Sequence, residues 1–205
     1  MSEGGKLALK ADEIYVVTHT RFEEMDRKLR LLSAVVRLAE KRRRQGRDLV
    51  IVDWGAGEGR TLATLKEELE RRGIKNVKYY GYSAQYFPQW EKLPAGIGMV
   101  LDVPGNLPRR IGGKADIVYS HYGLHLLAHE RARTPERRDP SHFAELRGML
   151  APDGELRTTN AALPLGAIEA FGFKASRIPV KSSVWSDYER RTFKLTSTLF
   201  TPEPK

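Results

Sequence analysis

The chain has 205 residues, 40% of them hydrophobic and 30% charged, with a formal charge of +9; this is the balance of a soluble globular protein of one domain, or of one domain with a small extension. It contains no cysteine, which excludes disulfides, thiolate metal sites and a cysteine nucleophile. No apolar run approaches the roughly 20 residues of a spanning helix, and Met1-Ser2-Glu3-Gly4-Gly5-Lys6 lacks the apolar core of a signal peptide, so no membrane partner and a cytoplasmic location are expected.

Residues 1–19 are weakly patterned, with a short extended piece at Ile14-Tyr15-Val16-Val17. Thr20 with Glu23 forms a capping box. Phe22, Met25, Leu29, Leu32 and Val36 then recur at steps of three and four, which predicts one helix with a single apolar stripe, widened by Leu31, Val35 and Leu38. The cationic run Lys41-Arg42-Arg43-Arg44 suits the negative end of its dipole, and Gly46 stops it. Residues 1–46 are read as an N-terminal extension and cover helix, and 47–205 as the main domain.

From there strand and helix patterns alternate. A strand at 49–53 precedes an amphipathic helix at 59–72, closed by Gly73. A second strand is expected at 77–82, then a helix-like stretch at 83–90 interrupted by Pro88, and a third strand at 99–102. The fourth strand, 116–120, follows the turn Gly112-Gly113. Asp139-Pro140 starts a helix running to about 150, since proline is tolerated in a first turn. A fifth strand at 154–159, a short helix at 165–171 and strand candidates at 176–185 and 192–200 complete the chain, with Phe193, Leu195, Ser197 and Leu199 on one face of the last. This alternation predicts an α/β fold with a doubly wound, mostly parallel sheet and helices on both faces.

Ligands of such sheets bind beyond the C-terminal ends of the strands. The first strand delivers the most informative stretch of the chain, Val50-Ile51-Val52-Asp53-Trp54-Gly55-Ala56-Gly57-Glu58-Gly59. It reads as a buried strand ending in an acid, then a glycine-rich turn opening a helix. Glycines let the backbone approach a ligand closely, and the helix start offers unpaired N–H groups. A dinucleotide fingerprint, G-x-G-x-x-G, would need glycine at the position held by Arg60. The plain alternative is a strand-to-helix turn without a ligand.

The observed D-x-G-x-G-x-G pattern resembles the first motif of the class I S-adenosylmethionine (SAM) dependent methyltransferases. Further motifs follow in the family's order: Leu101-Asp102-Val103 after the third strand, Ala115-Asp116-Ile117-Val118-Tyr119-Ser120 as the fourth, and Arg147-Gly148-Met149-Leu150-Ala151-Pro152-Asp153-Gly154 before the fifth. Together they cover about residues 48–200. The resemblance implies a seven-stranded Rossmann-like fold that binds SAM. The cofactor residues it implies are Asp53, Gly55, Ala56, Gly57, Tyr82, Ser83, Asp102, Val103 and Ser120, with Asp102 on the adenine amino group. One position departs: the family's ribose-binding acid at the end of strand two is replaced in Gly81-Tyr82-Ser83-Ala84-Gln85. Ser83 or Gln85 must then serve, and a neutral group accepts such bonds more weakly than a carboxylate.

His121 and Tyr122, just past the fourth strand, are the catalytic candidates. His121 can act as general base for a hydroxyl or ring nitrogen because its ordinary pKa lies near neutrality; the alternative is that it only shapes the pocket. His125 is read as a packing residue. Ser120-His121-Tyr122-Gly123 stands where base-amino methyltransferases carry Asn/Asp-Pro-Pro-Tyr, which counts against base-amino methylation, and the missing cysteine excludes cysteine-dependent pyrimidine C5 chemistry. The five histidines show no metal-ligand spacing, so no metal is expected. Residues 128–142 carry His129, Arg131, Arg133, Arg137, Arg138 and His142, diluted by Glu130, Glu136 and Asp139. This loop suits an anionic substrate, or is an ordinary solvated loop. His19 and Arg21 mark a candidate lid. The reading is a SAM-dependent methyltransferase acting on a small or medium-sized acceptor, the alternatives being an RNA methyltransferase and a non-catalytic scaffold or RNA-binding protein.

Overall fold

Apolar strands buried on both sides need a helical layer on each face, and the chain supplies both. The computed structural model describes residues 21–83, 85–101, 106–121, 141–160, 169–181 and 196–203. In chain order these form α1 (Phe22–Leu29), α2 (Leu31–Arg44), β1 (Leu49–Trp54), α3 (Arg60–Arg71), β2 (Val77–Ser83), a 3-10 turn (Pro88–Lys92) and β3 (Ile97–Leu101). There follow α4 (Asn106–Ile111), β4 (Ala115–His121), α5 (Ser141–Met149), β5 (Leu150–Asn160), β6 (Phe173–Arg177) and β7 (Thr196–Pro202).

The seven strands form one sheet in the order β3-β2-β1-β4-β5-β7-β6. The first five in that order are parallel, and β7 runs antiparallel to both β5 and β6. The chain steps outward from β1 to β3 and then returns to β4 on the other side of β1. The reversal therefore lies between β1 and β4, where an open α/β sheet has its ligand crevice. Leu49, Ile51, Ile117 and Tyr119 face α1, α2 and α3, while Val52, Trp54, Val118 and Leu156 face α4 and α5.

Two helices replace the single N-terminal helix expected from periodicity. The break is at Arg30, whose φ of 48° and ψ of 44° are left-handed. It is held from both sides. Arg30 N–H donates to the Asp26 carbonyl at 2.7 Å, and the Asp26 carboxylate accepts from Leu32 N–H at 2.6 Å. From β5, Arg157 Nη1 donates at 2.7 Å to the Leu29 carbonyl that the break leaves open. The left-handed residue also changes the phase of the apolar stripe. Leu31 and Val35 become fully buried, while Leu32 and Val36 are only half-buried. The helix starts with Arg21 as N-cap and no side-chain cap bond, rather than at a capping box; Thr20 lies outside the described residues.

The lower end of α2 is fastened by charge. Arg42 is 1% exposed and donates to Asp116 on β4 at 2.7 Å and to Asp153 near the start of β5 at 2.6 and 2.8 Å. Asp116 also accepts from Arg47 and from Val50 N–H. The cationic helix end is thus partly a buried anchor.

Three expected elements shift. The 83–90 stretch yields only the 3-10 turn, with Pro88 in its first positions. The sixth strand lies at Phe173–Arg177 rather than 176–185, because the fully buried Phe173 anchors it and pairs with Pro202. β7 is central in its half of the sheet, so Ser197, Thr198 and Phe200 are buried on both faces instead of along one; Phe193 and Leu195 lie outside the described residues. Among the described residues no helix is long and apolar enough to cross a membrane.

Candidate functional site

β1 ends in Asp53 and Trp54, and the chain then turns back over β2. Gly55 and Ala56 donate their N–H groups to the Tyr82 carbonyl at 2.8 and 2.9 Å, and Gly59 donates to the Ala56 carbonyl at 2.9 Å. Gly55, Gly57 and Gly59 take φ of 94°, 53° and 79°, which a residue with a Cβ adopts only with strain. Gly59 is the N-cap of α3. Among the described residues the N–H groups of Gly57 and Glu58 donate to no backbone carbonyl, so the tip of the turn keeps donors while its base is closed by internal bonds.

The 3-10 turn packs onto the same loop: Trp90 Nε1 donates to the Gly57 carbonyl at 2.8 Å and Gln89 Nε2 to Glu58 Oε1 at 3.1 Å. Gly81 on β2 eases this packing. A Cβ there would stand 2.5 Å from Met99 Sδ and 3.1 Å from the Ala56 methyl, so the absent side chain is what lets the turn settle against β2 and β3.

Asp53 is 5% exposed, and burial pushes its carboxyl up to about 7, a rise opposed in part by Tyr119. Asp53 and Tyr119 are register partners on adjacent strands, so their side chains share a face. The Tyr119 hydroxyl is turned to the carboxyl without closing a full hydrogen bond, and burial with the nearby Asp53 charge raises its own pKa. Two residues further along the same face, His121 Nδ1 lies 3.0 Å from Thr159 Oγ1 on β5. Thr159 pairs in turn with Ser197 on β7, whose buried Oγ has no hydrogen-bond partner among the described residues.

No family model matches the chain, nor does any curated protein. Solved structures do. A TehB-like SAM-dependent methyltransferase from Corynebacterium glutamicum superposes with a TM-score of 0.52 at 17% identity, over 83% of this chain and 88% of that one. The antibiotic-resistance methyltransferase Kmr gives 0.52 at 15% identity, over 78% and 89%. The CMeT domain of the citrinin polyketide synthase gives 0.51 at 14% identity, over 77% of this chain and 47% of that one. The chain has the fold of a SAM-dependent methyltransferase.

Within the methyltransferase fold, Asp53, Gly55, Ala56 and Gly57 come together at the switch point, with Ser83 at the end of β2 on one side and Ser120 and His121 at the end of β4 on the other. Ser83 and Ser120 are buried, and the Tyr82 ring packs into the opposite core, 5.6 Å from Trp54. Tyr82 thus meets the glycine turn through its carbonyl. Asp102, Val103, Tyr122, His125 and residues 128–140 lie outside the described residues. Sequence reading missed Tyr119, Thr159 and Ser197. Strand alternation was a sufficient signal for Tyr119, which stands two residues before His121; nothing local marks Thr159 or Ser197, whose neighbours come from other strands. No group of carboxylates and histidines able to hold a metal occurs among the described residues.

Proposed function

We propose that the protein is a SAM-dependent methyltransferase acting on an oxygen or nitrogen of a small or medium-sized acceptor. The observation that carries this reading is the D-x-G-x-G-x-G turn at the β1/β4 switch point, with the Gly57 and Glu58 amides left for a ligand. Those amides suit the carboxylate of an amino-acid moiety. Asp53 suits a cationic group, Ser83 a ribose hydroxyl, and Asp102 with Val103 the adenine, as the family resemblance implies. When bound, SAM supplies an activated methyl on a sulfonium leaving group.

The chain's own part is placement and proton removal. His121, at the end of β4, takes the proton of the attacking hydroxyl or ring nitrogen, and Tyr122, the next residue in sequence, is the second catalytic candidate. Isothermal titration with S-adenosylhomocysteine tests the cofactor reading. Wild type binds; Gly57→Val, which strains the turn, and Asp102→Ala each abolish binding. Unchanged affinity in both variants overturns the assignment.

A second reading, RNA as acceptor, draws on the +9 charge and on an open cleft of about 680 Å³ lined by Arg27, Arg30, Arg37 and Arg72 together with Asp26 and Glu40. Retention of RNA on filters that falls steeply between two salt concentrations favours this reading, since phosphate contacts release counterions. Absence of retention removes it.

A further inference from the structure

His121 and Thr159 are register partners at the C-terminal ends of β4 and β5, so their side chains leave the sheet side by side on the face of Asp53 and Tyr119. The imidazole Nδ1 is 3.0 Å from the Thr159 hydroxyl. Thr159 is fully buried, and its chain is held on both sides, by β4 and by β7. A β-branched residue in a central strand has little rotamer freedom, so this hydroxyl is a fixed point against which the ring can be set.

We propose that Thr159 is the positioning residue of the candidate base His121: its hydroxyl accepts from His121 Nδ1–H, which fixes the tautomer and directs proton transfer to Nε2. This rests on the reading of His121 as that base. The direction of the bond follows from the chemistry of the cycle. Imidazolium donates from both nitrogens, so a threonine that accepts from Nδ1–H keeps its bond while Nε2 gains and loses a proton. A threonine that donated to Nδ1 would have to turn its hydroxyl at every proton transfer. The accepting arrangement needs no reorganisation at the moment of reaction, which is the property that makes a preorganised polar group effective. Thr159 touches neither cofactor nor acceptor in this scheme and acts through the ring.

The test is nitrogen NMR of histidine-labelled protein at a pH where the ring is neutral, with His121→Gln assigning the signal among the five histidines. Wild type should show Nδ1 protonated and Nε2 bare. Thr159→Val should move the ring towards the Nε2–H form, and Thr159→Ser should restore the wild-type pattern; Thr159→Ala replaces the valine variant if that one fails to fold. A wild-type ring protonated at Nε2 overturns the proposal, as does an unchanged tautomer in the folded valine or alanine variant. Titration of wild type with S-adenosylhomocysteine separates the two failures: loss of binding sinks the cofactor reading, whereas the tautomer result decides the role of Thr159.

Discussion

The Arg42 guanidinium and the Asp116 carboxylate meet at 2.7 Å where the side chains are 1% and 0% exposed. The pair joins the end of α2 to the start of β4, beneath the switch point, and Asp153 ties the same guanidinium to the start of β5. Hydrogen bonding to Arg42 and Lys41 holds the Asp153 carboxyl well below the usual carboxylate range. Removing one member of a buried pair leaves the other charge poorly compensated. Arg42→Met should therefore lower unfolding free energy by about 3 kcal/mol, the low end of the usual range because Arg47 still reaches Asp116. Arg44→Met, at an exposed pair with Glu40, should change it by less than about 1 kcal/mol. Urea melts of both variants check the contrast, and equal losses would remove the anchoring role.

Asp53 makes the protein's stability depend on pH in an unusual sense. Its folded-state carboxyl titrates at about 7, against an ordinary value of 3.8. As pH rises from 4, the unfolded chain ionises first while the folded chain keeps its proton. Stability therefore falls through the window from about 4 to 7 and is level, as far as this group is concerned, above it. The shift corresponds to a loss on the order of 4 kcal/mol. Asn does not titrate, so the stability of Asp53→Asn relative to wild type should grow across that window, measured by urea melts at pH 5 and pH 8. A constant difference between the two proteins would show that Asp53 ionises normally.

The same group reports on the ligand. A cation placed against Asp53 stabilises the carboxylate, so binding should release protons near pH 7. Titration with S-adenosylhomocysteine in buffers of different ionisation enthalpy measures that release, and Asp53→Asn should abolish the buffer dependence. Equal release by the two proteins would assign the proton to another group.

The parts of the fold legible in the chain were those governed by short-range rules. β1, β2 and β4 follow from buried apolar runs, and the glycine turn follows from three positions that need positive φ. Arg30 shows where such rules stop. Its neighbours continue a good helical stripe, and one of the bonds at the break comes from Arg157, more than a hundred residues away in sequence. β6 was displaced for a similar reason, since its register is set by β7 rather than by its own alternation. At the site, Asp53 and His121 could be named from strand ends alone. Strand alternation also marks Tyr119, whereas Thr159 became visible only once β4 and β5 were placed side by side.

Gly81 offers a direct test of how closely the glycine turn is seated. A methyl at this position would meet Met99 Sδ at 2.5 Å and Cε at 2.6 Å, both at the far end of a flexible side chain, and the Ala56 Cβ at 3.1 Å. Gly81→Ala should cost about 1 kcal/mol, the low end for overpacking, because methionine can move aside. Gly81→Ala with Met99→Ala should recover part of the loss, a coupling that a double-mutant cycle in urea isolates. Strict additivity would mean that the Ala56 contact, and not Met99, limits the site.

Arg30 carries the only positive φ among the described non-glycine residues. A left-handed residue with a Cβ costs about 1–2 kcal/mol, whereas glycine adopts the same φ freely but gives up about 0.5–1 kcal/mol of chain entropy. Arg30→Gly should thus raise stability slightly, by up to about 1 kcal/mol, and Arg30→Val should lower it, since β-branching disfavours the left-handed region. Arg157→Leu acts on the same break from the other side: it strips the Leu29 carbonyl of this donor and leaves Glu155, bonded to Arg157 at 2.8 Å, with Arg37 as its one cationic partner among the described residues. Hydrogen exchange should then speed up in α1 and the first turn of α2 more than in α3. Uniform acceleration across all three helices would indicate global destabilisation, and the break at Arg30 would no longer be attributable to its tertiary partner.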